Sequence, residues 1–578
     1  MKRKCAVSGQ EFEITEKDLE FYKKMNVPEP TLCPEERQRR RLSWRNERNL
    51  YRRKCDATGK TILSIYSPEK PFKIYHQDVW HSDSWDGRDW GKEYDFDRPF
   101  FDQFSELMRD VPRMALVTAG NENAEFVNYA GWNQNCYLIF DSDHNQDCYY
   151  LVHAFYNKNC ADSFYINRCE LCYECITSYD CYDCRFLQDC KNCVESWFLK
   201  SCIGCKNCFG CVNLRNKEYY FLNKKCTKEE YSQKLETLQL HRWSKLKDMR
   251  QKFAAFIQRF PHKYYQGTQN EDVTGDYIDG SKDVHFCYNV ENSRDCMYLA
   301  DCQKCKDCWD LDEWGGTGAE LCYEGHVVGE GAQNIAFCSN IWEGVHDIFY
   351  SEFCVKGSHD LFGCEGLKHA SYCILNKQYS KEEYFTLRDQ IINHMKQTGE
   401  WGEFFPIKLS SVAYNESMAM EYFPLSREEV LSQGWAWKEK DTRGFQEQEY
   451  KIPDSLNDVE DNILEQVLAC EKTGKNYKIE KQELKLYRKL GIPIPRRCFD
   501  TRHQDRMDLR NPKQLWARDC DECGIHLQST FAPDRPETIL CEKCYNEVVD
   551  GGKKQKAPPN PAKAESSPLL EGGQGGVS

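Results

Sequence analysis

The sequence predicts a mainly β protein with helices. In it, two cysteine-laddered parallel β-solenoid units, each followed by a helix, are flanked by duplicated zinc-ribbon or treble-clef-like modules. Three observations predict this fold: cysteines in the middle of the sequence recur at a fixed interval, that segment is duplicated, and the two ends of the sequence match without a gap. A fixed repeat of about 20 residues is typical of solenoids, whose stacked coils bury one continuous core.

The first solenoid is predicted over 130–225, where cysteines fall on a 21-residue lattice with internal steps of 3, 9, 3 and 6. Leu151 and Leu214 share a predicted column with Cys172 and Cys193, and leucine cannot bind a metal. We therefore expect most of these thiols to be buried core side chains, the common role of free cysteine. The lattice comprises Cys169, Cys172, Cys181, Cys184, Cys190, Cys193, Cys202, Cys205 and Cys211.

The second solenoid is predicted over 284–378, because 209–231 matches 362–384 at a constant offset of 153. Cys287 and Cys308 lie one predicted 21-residue turn apart. The following cysteines lie at intervals of 16, and they are Cys322, Cys338 and Cys354.

Helix signals follow both solenoids. Thr227 and Glu230 form a capping box that predicts one long amphipathic helix over 226–262. A second capping box predicts the helix over 379–400.

Three further segments connect or end these units. The acidic and aromatic linker over 81–129 contains a helix, for which Asp97 is the predicted cap with Pro99 in its first turn. A linker with weak patterning spans 401–465. The Gly-, Pro- and Lys-rich tail over 551–578 is predicted to be disordered.

The end modules cover 1–80 and 466–550 and superpose at an offset of 465. The C-terminal copy has two C-x2-C pairs in a C-x2-C-x17-C-x2-C pattern, and they are Cys520 with Cys523 and Cys541 with Cys544. Four thiolates at this spacing form the tetrahedral sulfur site that structural zinc prefers, so the sequence predicts one zinc ion there. A hairpin between 526–531 and 537–540 and a helix opening at Cys544 complete the predicted finger.

The other three subsites each keep two residues of ligand type. We expect packing to replace coordination in them, although a mixed set of Cys5, Cys33 and Glu36 leaves weak metal binding open. The pairs are Cys5 with Cys33, Cys55 with His76, and Cys470 with Cys498.

Arginines surround both end modules, within 37–53 and 496–518. Interleaved with Trp44, Tyr51 and Trp516, they could contact phosphates and stack on bases, or they could form solvated helix faces. The net charge of -14 argues against a general nucleic-acid-coating or membrane-surface protein. The sequence has no long apolar run, which predicts a cytoplasmic protein with no signal peptide and no membrane span.

Several motifs together resemble a family of uncharacterised cysteine-rich bacterial proteins with zinc-ribbon-like terminal modules. These motifs lie at 21–24, 33–34, 45–51, 66–68, 207–214 and 532–536, with Cys541 and Cys544. The resemblance covers nearly the whole sequence and implies no activity. Members carry intact cysteine pairs where this protein has Ser8, Glu36 and Thr58, which implies that zinc content varies within the family.

These features predict a zinc-binding, non-enzymatic binding or scaffolding protein with an unidentified protein partner, because solenoids expose long faces. A nucleic-acid-associated zinc-finger protein is the alternative. An iron–sulfur or thiol redox protein is a third possibility, since C-x2-C runs such as 202–211 superficially resemble cluster-binding motifs. Cys211 is followed by Val212 instead of the proline of the ferredoxin run.

Overall fold

The computed structural model describes residues 1–313, 318–329, 331–337, 339–341, 344–439, 444–549 and 551. Cys338 and nearly all of the tail predicted to be disordered lie outside the described residues. The protein divides into two compact units. The first comprises Met1–Val117, Tyr265–Lys440 and Lys513–Leu515, and the second comprises Thr118–Tyr264, Asp441–Pro512 and Trp516–Ser578.

The first unit contains the N-terminal module and the second solenoid. Its solenoid strands are Gly267–Thr268, Glu271–Asp279, Lys282–Glu291, Arg294–Met297, Ala300–Gln303, Cys305–Trp309, Ala319–Tyr323, Ala332–Ala336, His346–Phe349, His359–Phe362, Ser371–Ile374 and Lys377–Gln378. Its other strands are Lys2–Lys4, Glu11–Glu13, Tyr51–Lys54, Thr61–Ser64, Ile74–Tyr75 and Arg113–Met114. Its α-helices are Glu16–Lys24, Pro34–Leu42, Gln77–His81, Phe100–Asp110, Lys381–Thr398, Ala419–Tyr422 and Arg427–Ser432.

The second unit contains the first solenoid and the C-terminal module. Its solenoid strands are Thr118–Ala119, Glu122–Glu125, Asn128–Gly131, Gln134–Tyr137, Phe140–Asp143, Tyr149–Phe155, Ala161–Asn167, Ile176–Tyr179, Arg185–Lys191, Trp197–Lys200, Lys206–Val212, Glu218–Phe221 and Lys224–Lys225. Its other strands are His262–Lys263, Leu468–Ala469, Asn476–Tyr477, Trp516–Asp519, His526–Ser529 and Ile539–Leu540. Its α-helices are Lys228–Thr237, Trp243–Ile257, Lys481–Leu490, Phe499–Met507 and Glu542–Val549. Every helix among the described residues is too short or too polar to cross a bilayer.

Both solenoids are parallel, as predicted, but the coil is shorter than the 21-residue lattice. In the second unit, Tyr149 pairs with Ala161, and Ala161 bridges to Tyr173, so each coil advances the chain by 12 positions. Cys172 therefore lies in register with Cys160 and Cys184, and the predicted column of Cys172 with Cys193 is wrong. The cysteines also fit a 21-residue spacing, because 21, like the number of residues in the true coil, is a multiple of three.

The second solenoid has less regular coils, and contacts between neighbouring coils span 11 to 14 positions. Cys296 pairs with Cys308, and Cys308 pairs with Cys322 in the next coil. Cys287 pairs instead with Gly275, so Cys287 and Cys308 are not successive members of one column. The predicted 21-residue turn between Cys287 and Cys308 is therefore wrong. The 16-residue intervals between the later cysteines are not a coil length either.

A left-handed residue at every third position produces the short coil. From Gly120 to Leu222 each third residue has a positive φ, for example 52° at Asn159 and 50° at Asp162. Each of these residues turns the chain through a corner, and the residues after these two, Cys160 and Ser163, are fully buried. One coil is thus four short sides with one inward side chain each.

The inward thiols also satisfy backbone groups, as the neighbouring serines do. The Sγ atom of Cys172 lies 3.4 Å from the carbonyl oxygen of Glu170 and 3.5 Å from that of Cys181, so its thiol can donate to either. The Ser163 hydroxyl donates to the carbonyl of Ala161 at 3.0 Å. All described cysteines are free, and those of the solenoids are buried, which confirms their predicted role as core side chains.

The segment predicted as one helix over 226–262 forms two helices, Lys228–Thr237 and Trp243–Ile257. The capping box at Thr227 is present. The second helix begins anew because Asp454 binds its first turn: the backbone carbonyl of Asp454 accepts from Trp243 N at 2.8 Å, and its carboxylate accepts from Ser244 N at 2.9 Å. The single 226–262 helix is therefore wrong.

The helix in the aromatic linker, Phe100–Asp110, also has a distant cap. Asp97 was the predicted cap, but the Glu400 carboxylate accepts from Phe100 N at 2.9 Å and from Phe101 N at 2.8 Å. A carboxylate at a helix N-terminus is favoured by the helix dipole and by the free N–H groups there. The apolar face of the helix is buried, and its residues are Phe100, Phe101, Phe104, Leu107 and Met108.

We predict that Asn159→Val destabilises the second unit by about 1–2 kcal/mol, because a β-branched residue is strained at a φ of 52°. Lys158→Val, at the adjacent exposed position, is the matched control and should change the free energy of unfolding by less than about 0.5 kcal/mol. Urea unfolding followed by circular dichroism measures both. Equal effects of the two variants would contradict the left-handed corner.

A buried glutamate gives the second unit a pH-dependent stability. Burial raises the pKa of Glu483 from 4.5 to about 7, although Arg502 and the Tyr487 and Tyr150 hydroxyls, which donate to Glu483 at 2.6 and 2.7 Å, favour its charged form. Because the folded pKa is raised, the folded state holds the proton more tightly than the unfolded protein does. This contribution to stability is complete below the ordinary pKa and is lost as the pH rises through about 7.

We expect this one proton to lower the free energy of unfolding between about pH 5 and 7, with a slope approaching about 1.4 kcal/mol per pH unit that levels off above the folded pKa. Glu483→Gln should remove that slope, whereas the exposed Glu471→Gln should keep it. Urea titrations at several pH values make the measurement. A slope that persists in Glu483→Gln would assign the proton to another group.

Candidate metal centre

The first cysteine pair of the centre lies in a tight turn between two strands. Trp516–Asp519 pairs antiparallel with His526–Ser529, and Cys520 follows the first of these strands. The turn is closed by Cys520 N donating to the Ile525 carbonyl at 2.9 Å and by Gly524 N donating to the Cys520 carbonyl at 2.9 Å. Gly524 has a φ of 74°, a conformation for which glycine is favoured.

The second cysteine pair lies at the start of a helix. Cys541 directly precedes Glu542–Val549 and Cys544 lies in its first turn, so the helix begins earlier than the predicted start at Cys544. The predicted hairpin between 526–531 and 537–540 is wrong. Ile539–Leu540 pairs in parallel with His262–Lys263, a partner that no local pattern indicates.

The four sulfur atoms converge. All lie within 4.8 Å of one another, and the Sγ atoms of Cys523 and Cys541 are 3.8 Å apart. Cys541 N donates to the sulfur of Cys520 at 3.3 Å, and Cys544 N donates to the sulfur of Cys541 at 3.4 Å. Cys520 and Cys544 are buried while Cys523 is exposed, so the cluster opens to solvent on one side.

The protonation of these thiols depends on their neighbours. Burial raises the pKa of Cys520, but backbone N–H groups, including that of Cys541, outweigh it and lower the value to about 7. Burial and the other three thiols raise the pKa of Cys544. Four thiolates cannot coexist at this distance without a cation, because like charges oppose each ionisation. The donor set therefore fits a thiophilic metal ion, and the centre can hold one.

The same turn recurs in the three other subsites without the full ligand set. The first cysteine of each turn donates its N–H to the carbonyl five residues on, and a glycine with a φ of 70° or 71° follows four residues after it. These bonds join Cys5 to Gln10 at 2.8 Å, Cys55 to Lys60 at 2.9 Å and Cys470 to Lys475 at 3.0 Å. The backbone frame of the knuckle thus forms whether or not four ligands are present.

Hydroxyl groups take the place of the missing cysteines. The Thr501 hydroxyl lies 3.3 Å from the sulfur atoms of both Cys470 and Cys498. The Ser8 hydroxyl lies 3.8 Å from the sulfur of Cys33. Glu36, the third potential ligand beside Cys5 and Cys33, forms an ion pair with Arg39 instead.

In the described residues, two groups of three or more His, Cys, Asp or Glu side chains bring one ligand atom each within 4.8 Å. One is the four-cysteine centre, and the other is Asp272, Asp283 and His285 in the first unit. In the second group Lys17 already neutralises Asp283 at 2.6 Å. Neither group lies in the solenoid C-x2-C runs that resemble cluster-binding motifs.

Many arginines that the sequence offers for phosphate binding are buried. In the first unit, Arg37 binds Asp310 at 2.8 Å and Arg41 binds Asp312 at 2.7 Å. In the second unit, Arg502 and Arg506 both pair with the buried Asp162. Each set anchors a module helix to a solenoid within its own unit. Buried, paired guanidinium groups are not available to phosphates.

Sequence reasoning located the four cysteines but missed the groups around them. The bridging role of Thr501 has no local signal except its position in the module repeat, three residues after Cys498. The ion pair of Asp162 with Arg502 has no local signal in the sequence, because the two residues are 340 positions apart.

No protein-family model matches the sequence, and no curated protein matches it.

We predict that Arg506→Met destabilises the second unit by about 3–5 kcal/mol, since it deprives the buried Asp162 of one of its cations. Arg497→Met, on the same module, removes a partly exposed pair with Asp505 and should cost less than about 1 kcal/mol. Thermal or urea unfolding distinguishes the two. A small effect of Arg506→Met would show that this arginine is free for another role.

Proposed function

We propose that this protein is a zinc-binding, non-enzymatic scaffold, with one structural zinc ion at its four-cysteine centre. The observation that carries the proposal is the convergence of four sulfur atoms from a knuckle and a helix N-terminus within 4.8 Å. The ligands are Cys520, Cys523, Cys541 and Cys544. A knuckle followed by a helix that supplies the second ligand pair is the arrangement of a treble-clef finger.

Zinc suits this donor set and a structural role suits the coordination. Zinc prefers four tetrahedral ligands with sulfur donors, and four protein ligands leave no open position for a substrate. The surrounding apolar cluster is small, with Cys520, Leu540, Cys544 and Tyr545 as its buried members. Such a small core gains much of its stability from the metal.

A scaffolding role is favoured by the way the solenoids use their cysteines. The thiols are buried and their S–H groups are directed at backbone carbonyls, as at Cys172 and Cys184. This use disfavours redox chemistry and an iron–sulfur cluster. The outer faces of the coils stay available to a protein partner. Free cysteines throughout the described residues favour a reducing compartment, in line with a cytoplasmic protein.

Nucleic-acid binding is the weaker alternative, because the arginines that suggested it include buried, paired ones such as Arg37 and Arg506. Gel-shift assays at two salt concentrations separate the alternatives. Salt-sensitive retardation would favour the nucleic-acid function.

We expect anaerobically purified protein to contain one zinc ion and no iron per molecule. The double variant Cys520→Ser and Cys523→Ser should contain no zinc, and its segment 516–549 should become sensitive to protease. Cys55→Ser, at the equivalent knuckle position of a subsite without convergent ligands, is the matched control and should retain the zinc. Elemental analysis and limited proteolysis measure these outcomes, and several zinc ions, or any iron, per wild-type molecule would refute the proposal.

A further inference from the structure

A second thiol site lies in the subsite of Cys470 and Cys498. Cys470 follows the strand Leu468–Ala469 in a knuckle closed by Gly474, whose φ is 71°. Cys498 is the residue before the helix Phe499–Met507. These are the positions that Cys520 and Cys541 occupy in the four-cysteine centre, so the same backbone frame brings the two thiols together.

One hydroxyl group joins the two thiols. Thr501 Oγ1 lies 3.3 Å from each sulfur atom, and it stands where the four-cysteine centre has Cys544. Both cysteines are 3% exposed. Thr473, which stands where the centre has Cys523, is exposed, so the thiols lie only one side chain below the surface.

The electrostatics of the subsite favour a thiolate. Burial raises the pKa of Cys470, but the hydroxyls of Thr473 and Thr501 and the backbone N–H of Cys498 outweigh it and lower the value to about 6. Lys475, on the same turn, forms an ion pair with Asp500 near the thiols. The Cys470 sulfur is therefore largely ionised at neutral pH.

We propose that Cys470 and Cys498 form a binding site for a soft monovalent cation of the Cu(I) class, with Thr501 as a neutral third neighbour. Two thiolates and one hydroxyl fall short of the four strong donors that a structural zinc ion requires. Soft sulfur ligands select Cu(I), which accepts low coordination numbers. The site is separate from the zinc centre of the proposed function and does not depend on it.

The first test is an anaerobic Cu(I) titration of the zinc-loaded, full-length protein in competition with a chromophoric Cu(I) chelator. The wild type should bind Cu(I) at this site without releasing zinc. Cys498→Ser should weaken that binding by more than about 100-fold, because one of two thiolates is lost. Cys226→Ser, at a buried cysteine outside the knuckles, is the matched control and should bind like the wild type. Equal Cu(I) binding by all three proteins overturns the proposal.

The second test asks whether the backbone of the knuckle brings four ligand side chains together in the subsite of Cys470 and Cys498. In the double variant Thr473→Cys and Thr501→Cys, the zinc content should rise from one to two ions per molecule, because four cysteines would then occupy the four ligand positions. An unchanged zinc content would show that the four positions do not converge, and the proposal would fall. Loss of zinc from the Cys520→Ser and Cys523→Ser variant concerns the other centre alone, so failure of either proposal is distinguishable.

Discussion

A recurring left-handed residue, at every third position from 120 to 222 in the first solenoid and from 277 to 313 in the second, is the constraint on which both solenoids depend. In the second unit it closes a coil every 12 positions, so the interior holds only four side chains per coil. Those side chains must be small and should offer a donor, because carbonyl groups such as that of Glu170 face the same narrow space. Cysteine and serine meet both conditions, and leucine and isoleucine occupy other inward positions, as at Leu151 and Ile166.

This backbone is costly for residues other than glycine. A left-handed conformation costs on the order of 1 kcal/mol per residue, and asparagine and aspartate tolerate it best. Hydrogen bonds between coils offset the strain: Asn159 N, at such a corner, donates to the carbonyl of Gln146 in the preceding coil at 3.0 Å. The sequence accordingly places Asn or Asp before many inward cysteines, and examples are Asp147, Asn159, Asp183, Asn192 and Asn207.

The solenoids and the four-cysteine centre could be predicted from the sequence because short, local patterns of residues specify both. The predicted coil length was wrong, because cysteines occupy only some inward positions and their spacing fits any coil whose length is a multiple of three. The period of three, with Asn or Asp just before many of the cysteines, was the overlooked signal. Three features depend on contacts between residues that are far apart in the sequence, and no local pattern predicts such contacts. They are the capping of a helix by Glu400, the helix break at Asp454 and the pairing of Asp162 with arginines.

The four knuckles show what a metal contributes to this fold. The turn itself forms without four ligands, as at Cys5 and Cys470, so coordination is needed only to join the knuckle to the helix beside it. In two of the four subsites, buried arginines already fix the neighbouring helix to a solenoid, as Arg37 does through Asp310. The helix Glu542–Val549 is held by a small apolar cluster, by the hydrogen bond from Tyr545 to Asn213 and by an ion pair of Glu542 with Lys263. Coordination by four cysteines would therefore join this helix to its knuckle where the other two subsites use buried arginines.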